Sequence, residues 1–308
     1  MNCKFSVIIP LYNKRDDIAA TLASALAQSY PPHEIVVVDD GSTDGSGDVV
    51  RTFDSPLIRL ISQPNAGECA ARNRAMAEAT GEYFALLDAD DQWETGYLAT
   101  IASLIEKYPD CGAYCTAFTI VGAGGEKPSR SPEKEGIVDD YFRRALECHI
   151  LLPSETTLRR EVVEQVGGFP VGMKLGGDQY MWVKLVAAGW RVACSPLRMM
   201  RYSAVAANRS SAIYVAEQTE HSFRDYYAEG DFWRNEYLAR VELNKAIVVS
   251  AKGGASEARD TERFYRYTRR SRTAWYKLWT LNRLPRRWRA PLLGLYNRAA
   301  WILAGKGF

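Results

Sequence analysis

Three carboxylates stand almost side by side in Asp88-Ala89-Asp90-Asp91, directly after the apolar run at 83–87. Packed at one strand end, they repel one another unless a cation is present. Their hard oxygens suit Mg2+ or Mn2+, ions that commonly bridge one or two carboxylates to substrate phosphates. A DxD triplet alone is more often a solvated turn or a helix cap. Its position after a buried strand, in LLDADD, is what gives this one weight. A second acidic pair, Asp39-Asp40, closes Val36-Val37-Val38 and precedes Gly41-Ser42. It reads equally as a strand stopped by an Asp-Gly turn and as a carboxylate accepting a hydrogen bond from the imide N–H of a uracil ring.

These groups need elements to hold them. The short runs at 5–10, 34–38, 57–61 and 83–87 are rich in Val and Ile and bounded by turn residues, so they predict buried strands. Between them, 15–28 places Ile18, Leu22, Ala25 and Leu26 at helical spacing, and 67–79 reads as an Ala-rich helix closed by Gly81. Alternating strands and helices imply right-handed crossovers and a parallel sheet. Ligands of such sheets lie at the carboxyl ends of the strands. Those ends carry Tyr12-Asn13, Asp39-Asp40 and Asp88-Ala89-Asp90, so polar and acidic groups converge on one edge.

Further along, the pattern predicts a helix at 95–108, a strand at 113–121 and a mobile Gly-, Pro- and Ser-rich loop at 122–136. Helices follow at 137–147, 160–167, 178–188 and 213–250, and a polar Gly-Gly linker at 252–260. The chain has 308 residues and a net charge of +2, enough for one large α/β domain and an appendage. Six cysteines without a CxxC pair read as reduced, mostly buried thiols. Three scattered histidines argue against a zinc site. No stretch is long and apolar enough to span a bilayer, and the first residues do not form a signal peptide.

Four segments in order now show a resemblance: SVIIPLYNK at 6–14, VVVDDGSTDGS at 36–46, NAGECAARNRAMAEATGEYFALLDADD at 65–91, and GGFP with GGDQYMWVKLVAAGWR within 167–191. Together they resemble the inverting family 2 glycosyltransferases of the GT-A fold, over 4–210. The resemblance implies a Rossmann-like α/β domain, a mostly parallel sheet flanked by helices, at 1–210, with a helical C-terminal region at 211–308. It implies that Pro10, Leu11, Tyr12 and Asn13 border a nucleotide base and that Asp40, beside Gly41, hydrogen-bonds it. Asn65, Gly67, Arg72 and Asn73 would shape the nucleotide-sugar pocket. Asp88, with Ala89, would approach the ribose or sugar. Asp90 would bind the Mn2+ or Mg2+ held by the diphosphate, with Asp91 beside it.

By the same resemblance Asp178 is the catalytic base. The family opens this helix with Glu-Asp after a Gly-Gly-Phe turn; here the turn is Gly167-Gly168-Phe169 and the pair is Gly177-Asp178. A carboxylate within reach of an acceptor hydroxyl can take its proton, and burial can raise its pKa; without that context Asp178 is an ordinary helix cap. The family's His after the following strand has no counterpart in 200–211. No QxxRW motif follows the base, which favours single additions over polymer synthesis.

After Glu262 no Asp or Glu occurs, while Arg and Lys recur among Trp, Tyr and Leu to the end. Such a tail suits a helix at an anionic bilayer surface better than nucleic acid, and packing against protein is its other reading. The implied function is transfer from a nucleotide-diphosphate sugar, UDP-linked, to a glycan or lipid-linked acceptor in surface polysaccharide synthesis. It would take place in the cytoplasm at the inner face of the membrane, and the sequence is compatible with an oligomer. Two other readings share parts of the pattern. A catalytically silent nucleotide-sugar-binding module would account for the missing Glu and His. A sugar-phosphate nucleotidyltransferase would normally open with a Gly-rich loop, which SVIIPLYNK lacks.

Overall fold

The structure is a computed structural model that describes residues 3–204 and 219–304, with side chains to 295. The chain forms two compact units, Met1–His221 and Ser222–Phe308. The boundary expected at 210/211, and the 205–211 part of the segment lacking a His, lie outside the described residues.

The first unit is built on one ten-stranded sheet. Its strands are β1 (Phe5–Leu11), β2 (Glu34–Asp39), β3 (Ile58–Ser62), β4 (Tyr83–Leu86), β5 (Gln92–Trp93), β6 (Cys111–Gly122), β7 (Gly125–Pro128), β8 (Gly136–Ile137), β9 (Thr156–Arg159) and β10 (Arg191–Ser203). The order is β3-β2-β1-β4-β9-β6-β10-β5, with β7 on β6 and β8 on β10. β1 pairs parallel with β2 and β4, and β2 with β3, as the alternation of strand and helix predicts. β9 enters antiparallel between β4 and β6, while β6 and β10 pair parallel. The sheet is therefore mixed, with its long strands mostly parallel. The crossover helices are α1 (Ile18–Leu26), α2 (Ser46–Arg51) and α3 (Glu68–Glu78). Next come α4 (Tyr97–Lys107), α5 (Tyr141–Ala145), α6 (Arg160–Val166) and α7 (Gly177–Ala187).

β1 is buried along its whole length, as a strand between two neighbours and two helical layers must be. α1 buries Ile18, Leu22 and Ala25 on one face, and α4 buries Leu98, Ile101, Leu104 and Ile105. Together these residues form the core under the strand ends.

Three expectations need correction. The loop at 122–136 contains β7, which turns back on β6, and β8, which pairs with β10, because backbone groups beside an open sheet edge gain by pairing. The linker at 252–260 is mostly helix, since α9 starts at Ala255. The thiols are not all reduced: the parallel register sets Cys115 opposite Cys194, with Cα atoms 4.7 Å apart, and the two are disulfide-bonded. Their sequence separation of 79 hides the pair from spacing rules. Cys3, Cys69 and Cys111 are buried free thiols and Cys148 is partly exposed.

A 3-10 turn at Pro153–Glu155 underlies the DxD loop and carries the fully buried Glu155. Oε1 of Glu155 accepts from Leu152 N at 3.1 Å and Oε2 has no partner. Burial pushes this carboxyl well above its usual range. As pH rises past the ordinary carboxylate value, the unfolded chain releases this proton while the folded chain keeps it, so stability falls until the raised folded value is reached. Glu155→Gln removes that titration. Between about pH 5 and pH 8 its stability relative to the parent should improve as pH rises. Urea midpoints at both pH values measure it; a difference that does not move with pH would refute the assignment.

The second unit is helical: a 3-10 turn at Phe223–Tyr226, then α8 (Phe232–Lys252), α9 (Ala255–Phe264), α10 (Arg272–Arg283) and α11 (Arg286–Ala304). α8 to α10 pack on one another and α11 packs on α8. Their interior is partly polar. Ser250 donates to Asn282, Asn282 to Glu262, and the buried Arg289 donates to the carbonyls of Leu284, Ser250 and Asn282.

Candidate active site

The loops after β1 and β2 are stitched together. Asn13 takes a left-handed conformation, φ 51°, which Asn tolerates better than most residues. Its N–H donates to Ser42 Oγ at 3.0 Å and its Oδ1 accepts from Thr43 N at 2.8 Å. Lys14 N donates to Ser46 Oγ at 2.9 Å. Pro10 and Leu11 are buried in the strand, whereas Tyr12 is 45 % exposed, leaving its ring available to a planar ligand. Gly41, at φ +77°, lies so close to Asn65 that an added Cβ would stand 2.9 Å from Asn65 N.

Asp40 is 2 % exposed and fully engaged. Oδ1 accepts from Gln63 Nε2 at 2.7 Å and Ala66 N at 2.9 Å, and Oδ2 from Gly67 N at 2.8 Å. Asn65 Nδ2 donates to the Asp40 carbonyl at 3.0 Å. The expected bond from Asp40 to a base therefore meets a carboxylate already held by three protein donors. In this structure Asp40 shapes the 63–67 loop and the start of α3. Gln63, which no motif singled out, is one of its partners.

The three DxD-loop carboxylates have different surroundings. Asp88 Oδ1 accepts from Arg72 Nη2 at 2.5 Å and its N–H donates to Ser154 Oγ at 3.0 Å. Asp90 Oδ2 is 2.6 Å from Lys14 Nζ, with both side chains largely buried. Asp91 turns inward at 2 % exposure: Oδ2 accepts from Ser154 Oγ at 2.6 Å and Oδ1 from Ser203 N at 2.9 Å. Burial, and then the charge of Asp88, push Asp91 up to about 8. In this structure Asp91 ties the loop to β10 and the 153–155 turn. Ala89 is buried between these groups.

Arg72, on α3, is buried to 1 % exposure and binds both Asp88 and Glu68, with its guanidinium 5.3 Å from the Phe169 ring. Asn73 points to the turn before α7: Nδ2 donates to Phe169 O at 2.8 Å and Oδ1 accepts from Phe169 N at 2.7 Å. In this structure Asn73 clasps α3 to the Gly-Gly-Phe turn.

α3 and α7 meet at their N-termini. An added Cβ on Gly177 would lie 2.5 Å from Cys69 Sγ, so the buried Cys69 excludes a side chain where the resemblance places Glu. Burial pushes that thiol up to about 12. Gly67 opens α3 at φ 92°, with Lys174 Nζ 3.6 Å from where a Cβ would stand. Asp178 sits in the first turn of α7. Burial raises its carboxyl above the ordinary range and the charge of Asp88 adds to this, opposed by the backbone N–H of Gln179 and by Arg72. For Glu68 the pull of Arg72 is downward, and burial with the charges of Asp88 and Asp178 outweighs it. Sequence reasoning missed Glu68 and Lys14; only the abutting helix ends and the fold of the β1 loop bring them here.

Among the described residues no group of three or more His, Cys, Asp and Glu is arranged to hold a metal. The donor set fits a narrower arrangement. Asp90, with Asp88, can supply one or two carboxylate oxygens to a hard divalent ion whose other ligands are phosphate oxygens and water. Each of these carboxylates is paired with a cationic side chain here, as expected for acidic groups that require neutralisation.

The sheet thus gathers its acidic groups at the carboxyl edge, and a carboxylate, Asp178, opens α7. The model for Glycosyl transferase family 2 matches residues 6–167. TuaG of Bacillus subtilis (strain 168), a glycosyltransferase named for teichuronic acid biosynthesis, is 36 % identical over 60 % of this chain and 73 % of its own. The Escherichia coli protein WfaP is a UDP-Glc:alpha-D-GlcNAc-diphosphoundecaprenol beta-1,3-glucosyltransferase. It is 44 % identical over 29 % of this chain, a match spanning only 36 % of its length. The crystal structure of S. aureus TarS 1-349 with UDP-GlcNAc superposes with a TM-score of 0.62 at 22 % identity, over 89 % of this chain and 79 % of that one. The chain belongs to glycosyltransferase family 2 and has its GT-A fold.

Proposed function

We propose that the chain transfers a sugar, with inversion, from a nucleotide-diphosphate sugar, UDP-linked, to a hydroxyl of a glycan or lipid-linked acceptor in surface polysaccharide biosynthesis. The observation that carries this reading is one electrostatic cluster. Asp178, Asp88, Glu68 and Arg72 act on one another at the carboxyl edge of the sheet, and Lys14 with Asp90 close the next strand end. The activity for which WfaP is named supports a UDP donor and a lipid-diphosphate acceptor, and TarS, solved with UDP-GlcNAc, supports a UDP-sugar. TuaG supports a cell-surface polymer.

In this reading Tyr12 and Asn13 border the base, and Asp40 braces the 63–67 loop that walls the pocket. Asp88 takes a ribose or sugar hydroxyl. Asp90 would hold Mn2+ or Mg2+, which would supply positive charge to offset that of the diphosphate. Lys14, paired with Asp90 in the free protein, is placed to pass its ammonium to a phosphate oxygen once the donor enters. Asp178 takes the acceptor's proton as its oxygen attacks the anomeric carbon. The carbon–oxygen bond to the diphosphate breaks, and its electron pair leaves with the nucleoside diphosphate. One displacement inverts the centre. The compartment proposed is the cytoplasmic face of a membrane, with the 263–308 tail at its surface.

The test is a screen of nucleotide sugars with Mn2+ or Mg2+, reading released nucleoside diphosphate. Release from one donor, cut at least about a hundredfold in Asp90→Ala, is the expected result. Nucleotide-sugar binding without release, with acceptors supplied, would assign a silent binding module. Consumption of a nucleoside triphosphate with a sugar phosphate would assign a nucleotidyltransferase.

A further inference from the structure

The formal charge of +2 conceals a division. Residues 222–308 carry 18 Lys and Arg against 8 Asp and Glu, a formal +10, whereas residues 1–221 carry 21 against 29, a formal −8; together these make the 39 and 37 of the whole chain. Exposed apolar side chains divide the same way. Of the twelve large hydrophobics exposed among the described residues, nine lie in the second unit. That unit is the shorter of the two, so the concentration is not a matter of size.

These residues form stripes. On α10, Arg272, Tyr276, Trp279 and Arg283 recur at spacings of four, three and four, one face of a helix. The Arg272 guanidinium lies 5.9 Å from the Tyr276 ring and that of Arg283 4.1 Å from Trp279. Leu278 and Leu281 bury the opposite face. On α11, Trp288, Leu292 and Leu295 form a second exposed stripe beside the exposed Arg287, while Arg289 turns inward. Aromatic rings suit the headgroup level of a bilayer, aliphatic tips its upper acyl region, and arginines its phosphates. Among the described residues no helix is long and apolar enough to cross a membrane, so these faces suit contact rather than insertion.

We propose that the outward stripes of α10 and α11, Tyr276 with Trp279 and Trp288 with Leu292 and Leu295, form a docking surface for an anionic lipid bilayer. The proposal deepens the membrane placement made above and is independent of the transfer chemistry. A single-stranded nucleic acid would use the same arginines and rings, but Leu292 and Leu295 give a base or phosphate nothing to bond, whereas acyl chains take them directly.

The experiment is co-sedimentation of the full chain with vesicles of phosphatidylcholine alone or with a third phosphatidylglycerol. No donor or acceptor is present, so failure here leaves the transfer reading standing. Binding should require the anionic lipid and weaken as salt rises. It should fall at least about tenfold in Trp288→Ser with Leu295→Ser, and likewise in Arg272→Glu with Arg287→Glu. Unchanged melting temperatures and donor turnover would show both variants folded. If the folded protein ignores anionic vesicles, or both variants bind like the parent, the proposal is overturned. It is also overturned if the chain binds a single-stranded oligonucleotide and not vesicles, or forms a dimer in solution that the same substitutions split while vesicles go unbound.

Discussion

Asp178→Asn is expected to lower transfer by about three orders of magnitude while leaving nucleotide-sugar binding unchanged. The amide keeps the shape and the helix-opening position but cannot accept the acceptor's proton. The parent should also show an acid limb in its rate. Asp178 works only when ionised, and burial raises its pKa, so activity falls as pH drops through a value above the ordinary carboxylate range. In Asp178→Asn the residual rate should lose that limb. Initial rates against pH, with donor affinity measured separately by calorimetry, decide the matter. If the variant turns over within about tenfold of the parent, Asp178 is a helix cap and the base lies elsewhere.

The second large effect is expected at Arg72. Arg72→Met keeps much of the volume but removes the cation paired with Asp88 and with Glu68. A fully buried pair broken this way costs about 3–5 kcal/mol; because Glu68 is half exposed and Asp88 partly so, about 2–3 kcal/mol is expected. The sign of a second change follows from the same charges. Arg72 holds Asp178 down and Asp88 holds it up, so without Arg72 the acid limb of the rate should move to higher pH. Urea unfolding and the pH–rate profile read the two effects separately. A variant as stable as the parent, with an unshifted limb, would show that Arg72 is neither a structural nor an electrostatic hub.

Asp90→Ala differs from both, because its effect should be confined to the metal-dependent step. Asp90 contacts Lys14 at the edge of the loop, and its removal leaves the sheet intact. Loss of turnover in that variant together with global unfolding would point to a structural role like that of Asp91.

Much of the architecture was legible in residue order. Short apolar runs bounded by turn residues, and helical spacing between them, place β1 to β4 and their helices within a few positions of where they lie. The ends of β1, β2 and β4 converge because the crossovers make these strands parallel, which puts their carboxyl ends on one edge. Asp88 and Asp90 were legible for the same reason, being polar residues at a buried strand's carboxyl end. What a local pattern cannot carry is direction at close range. Asp90 and Asp91 are neighbours, yet one meets Lys14 and the other Ser154 and the backbone of Ser203, 112 residues away. Asp40 looked free to meet a ligand because its three donors sit 23 to 27 residues further on. Asn73 and Phe169 find each other across 96 residues and Cys115 and Cys194 across 79. Strand β7 and helix α9 formed in segments whose glycines and charges read as loop, because sheet edges and packed helices outweigh weak local propensity. The sequence by itself thus determined the order of elements and which residues stand at the strand ends, since both follow from local periodicity and chain connectivity. Only the tertiary structure decided which of those residues meet one another and which remain open to a ligand, because hydrogen bonds and ion pairs depend on atoms brought together by packing rather than by position along the chain.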